Sequence, residues 1–297
     1  MNTVVEFNQV NSINNQVRTR FDEELSAMFY YMNPEPRPCF NKTCLTELYK
    51  NQSTLEAMQG EIVLNGKLKK ADYLVLASDT PGIFNLGGDL SVFGDLIRAK
   101  QREALKEYAT LCINNVWTFY NMQAPITTIA LVQGQAMGGG FESALAAHII
   151  VAEKSAMMGL PEVIFNLFPG MGALSFLSRK VGMQVAEKMV RSGKIYSGEE
   201  LYQMGVVDVL AEDGLGEYAL NNWIKKNHRS HNSMQAINRA KQRVNPLTYE
   251  ELSDIADVWM EAALRLDERN LKVMERLVRA QNSKVSDAAP INEKQFA

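Results

Sequence analysis

The sequence predicts an α/β fold built from parallel strands and crossover helices. Two short, continuously apolar runs, Tyr73–Ala77 (YLVLA) and Thr128–Val132 (TIALV), have the composition of strands covered on both faces. A long stretch with near-helical apolar spacing separates them, from about Ser91 to Asn121, through Leu96, Ile97, Leu105, Tyr108, Leu111, Cys112 and Phe119. A third apolar run, His148–Ala152, follows another helix that begins near Gly139. Alternation of this kind is the pattern of strands joined in parallel through helices.

The remaining elements follow in chain order. Residues 1–15 are polar and Asn-rich, and are expected to be loose until packed. Glu24–Met32 has the aromatic content of a strand, which the cluster Asn33-Pro-Glu-Pro-Arg-Pro38 ends. Asn41 or Thr43 is placed to cap a helix running through Leu45, Leu48 and Leu55. Beyond Phe168 the pattern turns helical, with helices over Ala173–Val181 and Gln184–Ser192. Ser197-Gly-Glu-Glu200 reads as a capping box, and a short strand over Val206–Leu210 follows. From Gly216 to Gln281 the spacing predicts three or four helices. The last pair carries Ile255, Val258, Trp259, Ala262 and Leu266, then Met274, Leu277 and Val278, as apolar faces. Those faces read first as packing onto the body or a neighbouring subunit, and second as the roof of an apolar ligand tunnel. The expected division is a core over 1–215, a helical region over 216–283 and a polar, disordered tail over 284–297.

Composition excludes several classes of function. A chain of 297 residues with 46% hydrophobic and 22% charged content is ordinary for a globular protein. A net charge of −3 leaves no basic excess for phosphates, so no nucleic-acid partner is expected. Cys39, Cys44 and Cys112 lack both disulfide and zinc spacing, and neither metal nor cofactor is expected. The N-terminus lacks a basic segment followed by an apolar run, and no run approaches ~18 apolar residues. The expectation is a soluble cytoplasmic protein.

Two glycine-rich turns end predicted strands: Phe84-Asn-Leu-Gly-Gly-Asp89 and Gln133-Gly-Gln-Ala-Met-Gly-Gly-Gly-Phe-Glu142. Glycine lets backbone approach a ligand, and free amides where a turn opens a helix attract negative charge. Two such turns side by side present two amides to one oxygen, the requirement of an oxyanion hole. Tight strand–helix packing explains a single such turn equally well, and no GxxxxGK[ST] phosphate loop occurs. Glu142 closes the second turn. Glu162 follows twenty residues later (162 − 142) in Met158-Gly-Leu-Pro-Glu162, ahead of Phe168-Pro-Gly-Met-Gly172. Met157, Met158, Phe165, Leu167, Phe168 and Met171 flank that turn and are candidates for an acyl pocket or for ordinary core. Asp89 reads as a helix cap, His148 as a structural histidine, His228 and His231 as solvent-facing, and Glu153 and Lys154 as surface charges.

The ordered set FNLGGD, GQAMGGGFE, LPE and FPGMG resembles the crotonase (enoyl-CoA hydratase/isomerase) superfamily. Within it, LASDTPGIFNLGGDLSVF, IALVQGQAMGGGFESAL, MMGLPEVIFNLFPGMGA and ERLVRAQ resemble the bacterial diffusible signal factor synthases, which make cis-2-unsaturated fatty acids. The resemblance implies a spiral of ββα units, a helical C-terminal region engaged in trimerisation, and an acyl thioester substrate. It implies oxyanion donors at the Leu86 and Gly139 amides and an acid/base pair at Glu142 and Glu162. The candidate substrate contacts around them are Gly87, Gly138, Met158, Leu160, Phe168, Met171 and Trp259. The activities that the resemblance implies are dehydration of a 3-hydroxyacyl-carrier-protein thioester to the cis-2-enoyl form and thioester hydrolysis. A membrane sensor kinase of the same signalling system is the associated partner. In that scheme Glu162 is the base at the α-carbon and Glu142 the acid toward the hydroxyl, with the reverse left open. No basic cluster precedes Phe84 to meet the phosphates of CoA, which favours acyl carrier protein over acyl-CoA. The alternatives are a conventional enoyl-CoA hydratase or isomerase, and a non-catalytic scaffold of the same fold.

Overall fold

The computed structural model describes residues 15–288, with side chains to residue 279. The Asn-rich segment 1–14 and the end of the tail lie outside the described residues. The chain opens with an antiparallel pair, β1 (Val17–Asp22) and β2 (Ala27–Met32), the second fully buried. Only β2 was expected; half-buried β1 lacks its continuous apolar run. Helix α1 (Lys42–Ala57) is capped by Asn41, whose side chain accepts from the Cys44 amide at 2.9 Å. A hairpin follows, β3 (Glu61–Leu64) and β4 (Lys67–Lys70), turning on Asn65-Gly66 with φ of 51° and 72°. An Asn-Gly pair is a strong hairpin signal, so this element was legible in the chain although not among the expectations.

The body is then a spiral. Each turn gives a strand to a large sheet, a strand to a small sheet, and helix or loop on the way back. The first turn is β5 (Tyr73–Ser78), β6 (Ile83–Asn85), α2 (Leu90–Arg98) and α3 (Arg102–Tyr120). The second is β7 (Thr127–Val132), β8 (Gln135–Met137) and α4 (Gly139–Leu145). The third is β9 (Ile149–Glu153), β10 (Met157–Gly159), a 3₁₀ turn over Pro161–Phe165, α5 (Ala173–Val181) and α6 (Met183–Ser192). Then come β11 (Ile195–Ser197), α7 (Gly198–Gln203) and β12 (Val209–Ala211). The large sheet runs β1-β2-β5-β7-β9-β12 and the small one β11-β10-β8-β6. The expected spiral of ββα units is therefore present. Ser91–Asn121, expected as one helix, is two: Lys100 takes φ 52° between them, and the left-handed residue turns the chain. Ser197 and Glu200 form the expected capping box.

Four further helices follow among the described residues: α8 (Gly216–Asn227), α9 (His231–Val244), α10 (Tyr249–Leu264) and α11 (Glu268–Ala288). Helix α11 continues five residues (288 − 283) past the expected start of the tail. Leu252, Trp259 and Met260 of α10 and Leu271 and Met274 of α11 join the core shared with α2 and α3. No helix among the described residues is long and apolar enough to cross a membrane.

Candidate active site

Strands β6, β8 and β10 are neighbours in the small sheet, with Asn85 and Met158 both in register with Ala136. The loops that leave them therefore lie side by side, although they are far apart in the chain. They are the two glycine turns and the Leu160-Pro-Glu162 turn. The glycine turns abut: a Cβ on Gly87 would lie 3.0 Å from the Gly139 nitrogen and 2.6 Å from the Met137 carbonyl. Gly87 also has φ 87°, so no other residue fits it without strain.

The amide expected from Leu86 is already engaged. It donates to the Pro38 carbonyl at 2.8 Å, and the Gly87 amide donates to Asn85 Oδ1 at 2.8 Å. The next amide, that of Gly88, has no acceptor among the described residues and lies 3.6 Å from where a Cβ on Gly139 would stand. Gly139 is the first residue of α4, so its amide has no partner within the helix. The two free amides that face each other are thus those of Gly88 and Gly139. Leu86 is displaced from the role because a strap of residues 37–40 consumes its amide. That strap meets the first glycine turn at further points. The Phe40 amide donates to the Gly87 carbonyl at 2.7 Å, and Arg37 Nη2 sits 2.7 Å from both carboxylate oxygens of Asp89. Asp89 is the N-cap of α2, as expected, accepting from the Ser91 amide at 3.0 Å.

Glu142 lies in the first turn of α4, fully buried, and its Oε1 accepts from the Met171 and Ala173 amides at 2.7 and 3.0 Å. The Phe168-Pro-Gly-Met-Gly172 turn thus holds a carboxylate, a role that its sequence did not reveal. Burial pushes Glu142 up to about 7, against the pull of those two amides. Glu162 sits in the 3₁₀ turn. A Cβ on Gly138 would strike its Oε1, and its Oε2 is buried without a partner among the described residues. Burial first, and then the Glu142 charge, push Glu162 well above the ordinary carboxylate range. Two amides hold the charge on Glu142, whereas Glu162 has only its own backbone amide and an unpartnered Oε2, so Glu162 keeps the proton and Glu142 carries the charge. For Glu162 to act as base, as expected, its proton must first leave.

Both glutamates line an apolar cavity of about 420 Å³ with Gly87, Gly138, Gly139, Met171 and Trp259. Three expected contacts do not reach it. Met158 and Leu160 are buried in the core and Phe168 packs against it, so none is on the cavity wall. Side chains alternate along a strand, so Met157 faces the cavity and Met158 the opposite side. The walls that the sequence did not reveal come from α2 (Leu90, Phe93) and α3 (Tyr108, Cys112), and Met274 and Leu277 of α11 add the roof. Both readings of the C-terminal apolar faces therefore hold: Trp259 and Met274 are core and roof together.

Other candidates resolve simply. The His148 Nδ1 accepts from the Thr128 amide at 3.1 Å and burial pushes the ring down to about 4, as a structural histidine requires. His231 is not solvent-facing: it is half-buried, 3.0 Å from the Asp72 carbonyl and edge-on to Tyr73. Glu153 is not a surface charge either. It is buried, accepting from Gln133 Nε2 at 2.8 Å and the Gly216 amide at 3.1 Å, which ties α8 to the strand end.

The ββα spiral thus stacks two glycine turns beside two buried glutamates on one cavity wall. Residues 28–257 match the enoyl-CoA hydratase/isomerase family, and the chain belongs to it. Among curated proteins it is similar to mitochondrial methylglutaconyl-CoA hydratase of Mus musculus, 34% identical over 160 residues, covering 51% of this chain and 46% of that protein. It is also similar to the fatty acid oxidation complex subunit alpha of Pseudomonas putida (strain GB-1), 31% identical over 172 residues, covering 58% and 22%. The chain thus spans less than half the length of these relatives. Among solved structures, DspI of Pseudomonas aeruginosa shares the fold with a TM-score of 0.65 at 23% identity, covering 92% of this chain and 90% of that one. Enoyl-CoA hydratase from Bacillus halodurans does so with a TM-score of 0.72 at 21% identity, covering 88% and 100%.

Proposed function

We propose that the protein is a diffusible signal factor synthase. It dehydrates a 3-hydroxyacyl thioester on acyl carrier protein to the cis-2-enoyl form and hydrolyses the thioester to the free fatty acid. The observation that carries this reading is the pair of buried, differently held carboxyls at the wall of an apolar cavity, next to two free amides. Removing a proton from the carbon beside a thioester builds negative charge on the carbonyl oxygen. The Gly88 and Gly139 amides are placed to receive it, and each such donor contributes about 3 kcal/mol in sites of this kind. One carboxylate takes the α-proton and the other carboxyl protonates the departing hydroxyl, so water leaves and the double bond forms. Hydrolysis uses the same amides for the tetrahedral intermediate, with a glutamate activating water. The segment resemblance beyond the catalytic motifs supports the synthase reading.

A conventional hydratase or isomerase acting on enoyl-CoA is the second reading, favoured by the names of the curated relatives. Purified protein given 3-hydroxyacyl groups on acyl carrier protein and on CoA, with cis and trans products resolved, separates the two. Cis-2-enoic acid from the carrier-bound substrate is the expected result; trans product from acyl-CoA alone would overturn it. Solvent exchange at C2 in the E142Q and E162Q variants identifies the base, because the variant without the base loses exchange.

A further inference from the structure

Helix α11 has two contrasting faces. Its inner face carries Leu271 and Met274, 3% and 1% exposed, and Met274 and Leu277 form part of the cavity wall. Its outer face carries Arg269, Lys272, Arg276 and Arg279, all exposed. Their spacing of 3, 4 and 3 residues confines them to about 80° of arc at 3.6 residues per turn, with Met274 on the opposite side. None of the four forms an ion pair with a described residue, and Arg265, exposed at the turn before the helix, extends the row without one. The acids that would neutralise the row are already engaged: Glu268 and Glu275 flank it and are held by Arg98, at 3.1 Å to Nε and 2.9 Å to Nη2. A chain of net charge −3 thus shows a linear cationic stripe about 15 Å long, ten residues at 1.5 Å each, on the outside of the helix that roofs its cavity.

We infer that this stripe is the docking surface for the acidic face of the carrier protein that bears the acyl thioester, an inference that rests on the proposed carrier-protein substrate. A protein that hands over a tethered acyl chain must settle beside the cavity, and the stripe lies on the cavity roof. An elongated row of four cations matches an acidic helix better than a small anion. An anionic membrane fits less well, because the apolar side of α11 is consumed by the core and leaves nothing to insert into a bilayer. The cations raise the rate of encounter and orient the carrier, an effect that weakens as salt rises.

The test uses the full-length chain and a variant in which Arg269, Lys272, Arg276 and Arg279 are all replaced by Ser. Both are given one 3-hydroxyacyl group on holo acyl carrier protein and on N-acetylcysteamine, a neutral thiol. The expected result is a carrier-thioester KM raised about tenfold, with the salt dependence of the wild type flattened. The N-acetylcysteamine thioester should turn over at an unchanged rate, and light scattering should give an unchanged mass. An unchanged carrier KM would overturn the proposal. So would a fall in mass, which would make the stripe a subunit interface, or loss of binding to phosphatidylglycerol vesicles with carrier kinetics intact. If the wild type turns over the N-acetylcysteamine thioester and no carrier thioester, docking fails while the thioester chemistry stands. If it turns over neither, the reading of the site fails first.

Discussion

Glu142 and Glu162 have one residue type and opposite surroundings. Two backbone amides hold Glu142; Glu162 has a buried oxygen with no donor among the described residues. Replacing either by Gln is expected to lower dehydration by about 10²–10⁴-fold, measured with a 3-hydroxyacyl thioester. In kcat/KM a limb near pH 7 should appear, rising with pH as Glu142 loses its proton at about 7. Stability should follow pH in the opposite sense. A carboxyl raised from 4.5 to about 7 on folding holds a proton that the unfolded chain has released between those values. Its stabilising contribution is full below pH 4.5 and is lost as pH rises through about 7, at roughly 1.4 kcal/mol for each pH unit in that interval. Urea unfolding at pH 5 and pH 8 should therefore show a smaller loss in E142Q than in the wild type; an equal loss would count against the assignment. A third substitution probes the amides. Gly88→Ala keeps the Gly88 amide but drives a Cβ into the Phe93 ring on the cavity wall, and should lower kcat while the chain stays folded by circular dichroism.

At the scale of elements, the site depends on a segment that lines no part of the cavity. The strap at 37–40 takes the Leu86 amide, gives its own Phe40 amide to Gly87, and pins Asp89 through Arg37. The Tyr108 hydroxyl on α3 in turn donates to the Phe40 carbonyl. Contacts on both sides of Gly88 leave its amide as the free one in the turn. Arg37→Met removes the partner of a nearly buried carboxylate and should cost about 3 kcal/mol of stability by urea titration. It should also lower kcat more than it raises KM, with Arg37→Lys recovering part of the loss. The Pro-rich segment was legible as a strand terminator. Its clamp on a glycine turn some fifty residues away (89 − 37) was not, because the contact exists only once the spiral has closed.

For the whole molecule, α9 has no buried residue, and Ile237 and Val244 are 58% and 86% exposed on it. Apolar surface of this kind on the C-terminal helices matches the trimeric assembly that the family resemblance implies. Sedimentation or light scattering should give three or six times 33.3 kDa, and Ile237→Asp should shift the population toward smaller species. A monomer for the wild type would refute the expectation.

The α/β class could be read from the apolar runs, and the spiral and the glutamate pair from the family resemblance that the ordered motifs carry. Apolar runs and glycine turns are local signals, written within a few residues of one another, and their order along the chain is the order of the spiral. Which amide of Leu86-Gly87-Gly88 is free could not be read that way, because it depends on a strap from elsewhere in the chain. Nor could the facing of Met158, Leu160 and Phe168 toward the core, while Leu90, Phe93 and Tyr108 face the cavity. Composition marks a residue as apolar but not which of two apolar surroundings it enters. That choice is made by strand alternation and by helices that return over the site from a distance, and so it appears only in the folded chain.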